Sequence, residues 1–149
     1  MQFQKHNKVV AILMLVVAFV GFADATYLAV EHYTGGLILC GLTGGCDIVT
    51  TSVYSKIFGI PVALLGSLYY FSIIFGAVAY LDSKDEKFFY WLAHYTIIGF
   101  IASMIFVILQ VFFIKSICLY CMLSATSSTI IYYLGHQVHK KHRIMKNKA

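Results

Sequence analysis

An all-α integral membrane protein is what the sequence predicts: a four-helix transmembrane bundle with a short amphipathic helix in its outer loop. Three observations point there. Hydrophobic residues make up 60% of the 149-residue chain and charged residues only 11%, against roughly 25% charged in a soluble domain. Mean hydropathy is +0.83. Four apolar runs, about 9–30, 60–81, 89–114 and 117–134, are nearly free of charge, and a spanning helix needs roughly 17–25 such residues. Within lipid each backbone N–H and C=O needs a partner in its own segment, so the runs are expected as helices. The length fits one domain, 1–149.

The first run follows Lys5 and Lys8. It contains Ala23-Asp24-Ala25, which has the form of a signal-peptidase site. The apolar stretch continues through Tyr27, Leu28, Ala29 and Val30, so a full span is expected rather than a cleaved leader. The outer loop, 31–59, opens with a Gly-rich stretch holding Gly35, Gly36, Gly41, Gly44 and Gly45. Beyond it Val49, Val53, Ile57 and Ile60 recur at helical spacing, with Thr50, Thr51, Ser55 and Lys56 elsewhere on the wheel. That predicts an amphipathic helix on the outer surface, capped by Asp47. Gly59-Ile60-Pro61 turns into the second run, with proline in a tolerated first-turn position. The third run ends in a tight turn at Lys115 and Ser116, and the fourth leads into a basic tail, 135–149.

Charge sets the expected orientation. Lys5, Lys8, Lys84, Lys87, Lys140, Lys141, Arg143, Lys146 and Lys148 fall on one side of an alternating bundle, and only Lys56 and Lys115 on the other. The bias places both termini in the cytoplasm and the outer loop outside an inner, cell-type membrane. The net charge of +5 thus reads as topology with weak affinity for anionic lipid heads, and not as nucleic-acid binding.

The chemistry lies in four cysteines, Cys40, Cys46, Cys118 and Cys121. With the expected orientation all four face an oxidising compartment, where disulfides persist. Cys118 and Cys121 stand three apart at the start of the fourth run, on one helix face, with Ser116 as the expected N-cap. The positive end of the helix stabilises a thiolate there. Taken alone, Cys40 and Cys46 read most plainly as a static loop disulfide, while the glycines around them allow exchange with a visiting protein. Two pairs on one face favour a relay that passes two electrons by thiol–disulfide exchange. A zinc site built from all four thiolates is the other reading, but no second shell of His and Asp is evident, so no metal is expected.

A dithiol at the membrane boundary calls for a lipid-soluble two-electron acceptor, and a quinone of the ubiquinone or menaquinone class fits. The expected pocket comprises Met122 and Ala125, with Leu64, Phe106, Gln110 and Phe113 nearby. Gln110 is equally readable as a quinone donor or as an interhelical hydrogen bond. Asp24, an acid inside a span, is a functional candidate by its position alone; supporting the loop, assisting proton movement or reaching interfacial water are its possible roles. His94 reads as structural.

Taken together, Asp24-x2-Tyr27-Leu28, Cys40-x5-Cys46, Ser52, Phe58-Gly59-Ile60-Pro61 with Leu65-Gly66, and Cys118-x2-Cys121 resemble the vitamin K epoxide reductase family in its small prokaryotic form, over roughly 9–135. The order of the pairs, wide then C-x-x-C, is the reverse of that in the DsbB-type quinone reductases. The resemblance implies that Cys40 exchanges with a thioredoxin-fold, DsbA-like partner in the periplasm or outside the cell. It further implies that Cys46 passes electrons to Cys118 and that Cys121 reduces the quinone. Ser52 matches the family's loop serine. Ser55 and Ala125 stand where animal members carry an Asn and a Tyr, which suits a respiratory quinone better than vitamin K epoxide. The basic tail stands where many bacterial relatives carry a fused thioredoxin-like domain, so the partner is expected as a separate protein. Against the oxidoreductase reading stand true quinone-epoxide reduction and a non-enzymatic four-helix membrane protein with a structural disulfide or metal site.

Overall fold

The computed structural model describes residues 2–35 and 45–148. Four long helices pack together: α1 (Gln2–Thr34), α3 (Val62–Ser83), α4 (Glu86–Ile108) and α5 (Leu119–Lys148). A short helix, α2 (Gly45–Thr51), and a two-stranded hairpin, β1 (Lys56–Ile57) and β2 (Ile60–Pro61), lie between α1 and α3. Helix α1 packs on α3 and α5, and α4 packs on the same two, so the four long helices form a closed ring. Among the described residues three segments, Lys5–Thr34, Val62–Ser83 and Glu86–Ile114, are long and apolar enough to cross a membrane. The fourth expected span lies in the first half of α5, whose hydropathy is lowered by Ser124, Thr126, Ser127, Ser128 and Thr129.

The loop helix is shorter than the apolar spacing predicts. It stops at Thr51 and gives way to a 3₁₀ turn, Val53–Ser55, and then to the hairpin. Its hydroxyls explain the stop. Thr50 donates to the Cys46 carbonyl at 2.8 Å, Ser52 to that of Val49 at 2.7 Å and Ser55 to that of Ser52 at 2.7 Å. Ser and Thr side chains compete in this way for the carbonyls that a continuing helix would use. Phe58 and Gly59 then both take positive φ, 51° and 82°. A two-residue hairpin turn with both centres left-handed matches strand twist, and glycine is the residue that meets it without strain. Asp47 lies inside the first turn of α2 and not ahead of it, so it acts on the helix dipole and not as the cap.

The α4 helix ends in a π-helical turn, Leu109–Ile114, closed by Lys115 in the left-handed region at φ 54°. The N–H groups of Lys115 and Ser116 both reach back to the Gln110 carbonyl. Helix α5 starts at Leu119, three residues beyond Ser116, so Ser116 does not stand at the cap position.

At the opposite end from the cysteines the core is closed by a polar clamp. Asn7, fully buried in α1, donates to Glu86 at 2.7 Å, and buried Tyr80 of α3 donates to the other carboxylate oxygen at 3.0 Å. Tyr80 also stacks on Phe89 with ring centroids 4.1 Å apart. Nearby, His139 of α5 meets His94 at 4.1 Å and Tyr90 at 4.4 Å. Burial holds the His139 imidazole below its ordinary pKa, helped by His94, His136, Arg143 and His142.

Two outcomes are expected. Replacing Glu86 by Ala leaves two buried donors unpaired and lowers stability by about 2 kcal/mol, measurable by thermal unfolding in detergent. His139 is harder to protonate when folded than when unfolded, so the unfolded chain binds more protons. Stability is then full above the ordinary histidine pKa of about 6.5 and falls as pH drops below it. A His139→Phe variant, scanned between pH 7.5 and 5.5, shows a weaker fall.

Candidate functional site

Helix α2 is seated on the end of the bundle by backbone contact. A Cβ at Gly45 would lie 2.6 Å from the Ile117 carbonyl oxygen and 3.3 Å from its carbonyl carbon and nitrogen. Any side chain at 45 would therefore lift α2 away. The next residue on each side of this contact is a cysteine. Cys46 and Cys118 are both fully buried and share one apolar cluster with Leu28 and Val49, against which Phe106, Ile114, Tyr120 and Cys121 pack. Cys46 is disulfide-bonded, whereas Cys118 and Cys121 are free thiols. Cys40 lies outside the described residues, as do Gly36, Gly41 and Gly44.

Cys118 stands immediately before α5 and takes the place that the sequence assigned to Ser116. Its sulfur accepts from the Cys121 N–H at 3.4 Å, and its carbonyl accepts from the Met122 N–H at 3.0 Å. That is the pattern of an N-cap side chain reaching the third helical residue. It puts the Cys118 sulfur on the positive end of the helix. The Cys118 N–H in turn donates to Gln110 Oε1 at 3.0 Å. Gln110 thus closes the π-turn with its carbonyl and holds Cys118 with its side chain. Its Nε2 is buried without a hydrogen-bond partner.

A cavity of about 330 Å³ opens beside the dithiol, and Cys121 is in its wall. Helix α1 contributes Ala25, Leu28 and His32; α3 contributes Val62, Leu65, Gly66, Tyr69 and Tyr70; α4 contributes Tyr95, Gly99, Ala102, Ser103 and Phe106. Ser55 and Thr50 close it from the loop, and Ser124, Ala125 and Ser128 from α5. An apolar enclosure of this size with a few polar groups suits a small apolar ligand. A planar quinone head fits that description, and the Cys121 thiol forms part of the wall it would face.

Of the residues expected around a quinone, the structure brings Ser55, Phe106 and Ala125 to this wall. Leu64, Gln110, Phe113 and Met122 lie outside it. Gln110 is turned toward the Cys118 amide, and Phe113 is 64% exposed, its ring 6.0 Å from that of Tyr54. Ser52 is not in the wall either; its hydroxyl ties down the turn after Val49. Asp24 is buried, and neither carboxylate oxygen has a hydrogen-bond partner. Sequence reasoning missed the tyrosines. Tyr70 donates to the Ser124 carbonyl at 2.6 Å across the cavity edge. A signal for them existed: 62, 65, 66, 69 and 70 recur at helical spacing, as do 95, 99, 102 and 106, with small residues among the second set.

These contacts predict how the thiols respond to change. In a background lacking Cys40 and Cys121, mild oxidation is expected to join Cys46 to Cys118. Gly45→Ala should slow that joining by up to roughly 100-fold, the penalty for misplacing reactants by about an ångström; non-reducing mass spectrometry measures it. Gln110→Leu orphans a buried N–H, costs about 2 kcal/mol and alters the alkylation rate of Cys118.

No curated protein matches the chain. The family model described as vitamin K epoxide reductase family matches residues 12–135 of the 149. That match takes in Asp24, both cysteine pairs, the hairpin and all the walls of the cavity, and the chain belongs to the vitamin K epoxide reductase family.

Proposed function

We propose that this protein is a quinone-dependent thiol–disulfide oxidoreductase of a four-helix transmembrane kind, which makes disulfides for exported proteins. One observation carries the reading. Two free thiols, buried Cys118 and half-buried Cys121, stand between disulfide-bonded Cys46, which shares a cluster with Cys118, and an apolar cavity that Cys121 lines. Family membership supports a quinone-linked redox role in general.

In the proposed sequence a thioredoxin-fold, DsbA-like partner gives up two electrons to the Cys40–Cys46 disulfide through Cys40. Cys46 hands them to the Cys118–Cys121 disulfide by attack on Cys118, which is the better leaving thiolate because it caps α5. The Cys118–Cys121 dithiol then reduces a quinone of the ubiquinone or menaquinone class in the cavity to the hydroquinone, and its own disulfide re-forms. Ser52 and Ser55 hold the turn that keeps α2 over the dithiol. The first half of α5 serves as the fourth span, since it packs along α1 and α4. The basic segments gather at the Asn7–Glu86 end and the thiols at the other, which supports cytoplasmic termini, thiols on the outer face and an inner, cell-type membrane.

The test is direct. Purified protein, a reduced thioredoxin-like protein and a short-tailed quinone are expected to give hydroquinone, and Cys121→Ala abolishes it. Cys46→Ser strands Cys40 on the partner as a reducible adduct visible on a non-reducing gel. Undiminished quinone reduction by Cys121→Ala, or no adduct with any thioredoxin-fold protein, refutes the scheme.

A further inference from the structure

One buried ionisable group at the thiol end has no role in that relay. Asp24 lies on α1 and is only 7% exposed, and both carboxylate oxygens lack a hydrogen-bond partner. A polar group buried without a partner costs free energy, and acids within a span mark proton or ion paths more often than they mark packing. Its surroundings are specific. The next residue, Ala25, and the residue one turn on, Leu28, are in the cavity wall. One turn earlier, Gly21 leaves room for the Tyr70 ring, which a Cβ there would meet at 2.5 Å. Tyr70 from α3, Cys118 just ahead of α5 and Cys121 in the first turn of α5 are all within electrostatic reach of the carboxylate.

We infer that Asp24 is the proton-transferring group of the Cys118–Cys121 dithiol, an inference that rests on the quinone-reducing reaction proposed above. Oxidising the dithiol breaks two S–H bonds and forms one S–S bond. Two electrons pass to the quinone, and two protons have to reach its oxygens. A sulfur reacts as thiolate, so a proton leaves it first, within an apolar enclosure. The Asp24 carboxylate takes that proton and delivers it to one quinone oxygen; the second thiol supplies the other. In the dithiol state that first proton rests on Asp24 beside a thiolate, and in the disulfide state Asp24 is a carboxylate again, so no further oxidant or acid is consumed. A carboxylate and a thiolate side by side in such an enclosure are costly, so Asp24 holds the proton while the sulfur is ionised and releases it when the disulfide has formed.

The experiment compares wild type, Asp24→Asn and Asp24→Glu as purified full chains with Cys118 and Cys121 reduced. Single-turnover reduction of a short-tailed benzoquinone is expected to slow by roughly 100-fold in Asp24→Asn, the usual worth of a placed acid–base group. It should recover in part in Asp24→Glu, and the wild-type solvent deuterium isotope effect should be lost in Asp24→Asn. A second readout needs no quinone. Infrared difference spectra between dithiol and disulfide, set with a soluble dithiol, should show a carboxyl C=O stretch that shifts in Asp24→Glu and vanishes in Asp24→Asn. Quinone reduction by Asp24→Asn at the wild-type rate overturns the role. So does a wild-type difference spectrum without a carboxyl band, even where Asp24→Asn is slow or unfolded. If wild type itself reduces no quinone, the enzymatic reading falls and this inference with it, an outcome distinct from a failure confined to Asp24.

Discussion

One peptide plane resting on another, residue 45 on residue 117, is the constraint on which the outer end of this molecule turns. It is available only because position 45 has no side chain. From it follow the seat of α2, the shared burial of Cys46 and Cys118 and the short path between the two cysteine-bearing segments. Apolar burial alone would not fix this geometry, because it is non-directional. Backbone contact does, since neither chain segment can yield without unwinding.

The dithiol is held from the other side by an irregular helix end. A π-turn is a strained way to finish α4, and such turns concentrate at functional positions. Here it brings the Gln110 side chain against the Cys118 amide while the Gln110 carbonyl gathers the N–H groups of the following turn. With that amide satisfied, the Cys118 sulfur is left to take the Cys121 N–H. The atoms that start α5 also set the Cys118 sulfur on the positive end of the helix, so capping and the proposed exchange chemistry use one arrangement.

Much of this was legible in the sequence. The three strongest spans, the apolar enclosure near the C-x-x-C and the family followed from apolar runs, spacing and ordered motifs. What escaped was set by local hydrogen bonding and by close approach. Val49, Val53 and Ile57 have helical spacing, yet the hydroxyls of Ser52 and Ser55 end the helix first. Ser116 is a good cap by type, but the turn after α4 delays the start of α5 to Leu119, and a cysteine caps instead. Gln110 sits at the right depth for the cavity, but a π-turn rotates a side chain away from where an α-helical wheel places it. Phe106 and Ala125, on regular helix, fell where the wheel puts them. Cys40 and the glycines around it lie outside the described residues.

The walls of the cavity also say how a reactant arrives. Its two largest contributors, α3 and α4, are joined by the short link at Lys84 and Asp85 and are separated by the cavity toward their other ends. Under the quinone chemistry proposed above, walls built largely by two membrane-length apolar helices suit a reactant dissolved in the hydrocarbon. For an apolar reactant the relevant concentration is then its mole fraction in the bilayer, which partitioning raises far above its aqueous value. Weak affinity suffices under those conditions, and tight binding would only slow product escape. On that proposal an apparent KM measured in micelles will track the amount of detergent, because the micelle volume dilutes a lipid-soluble reactant.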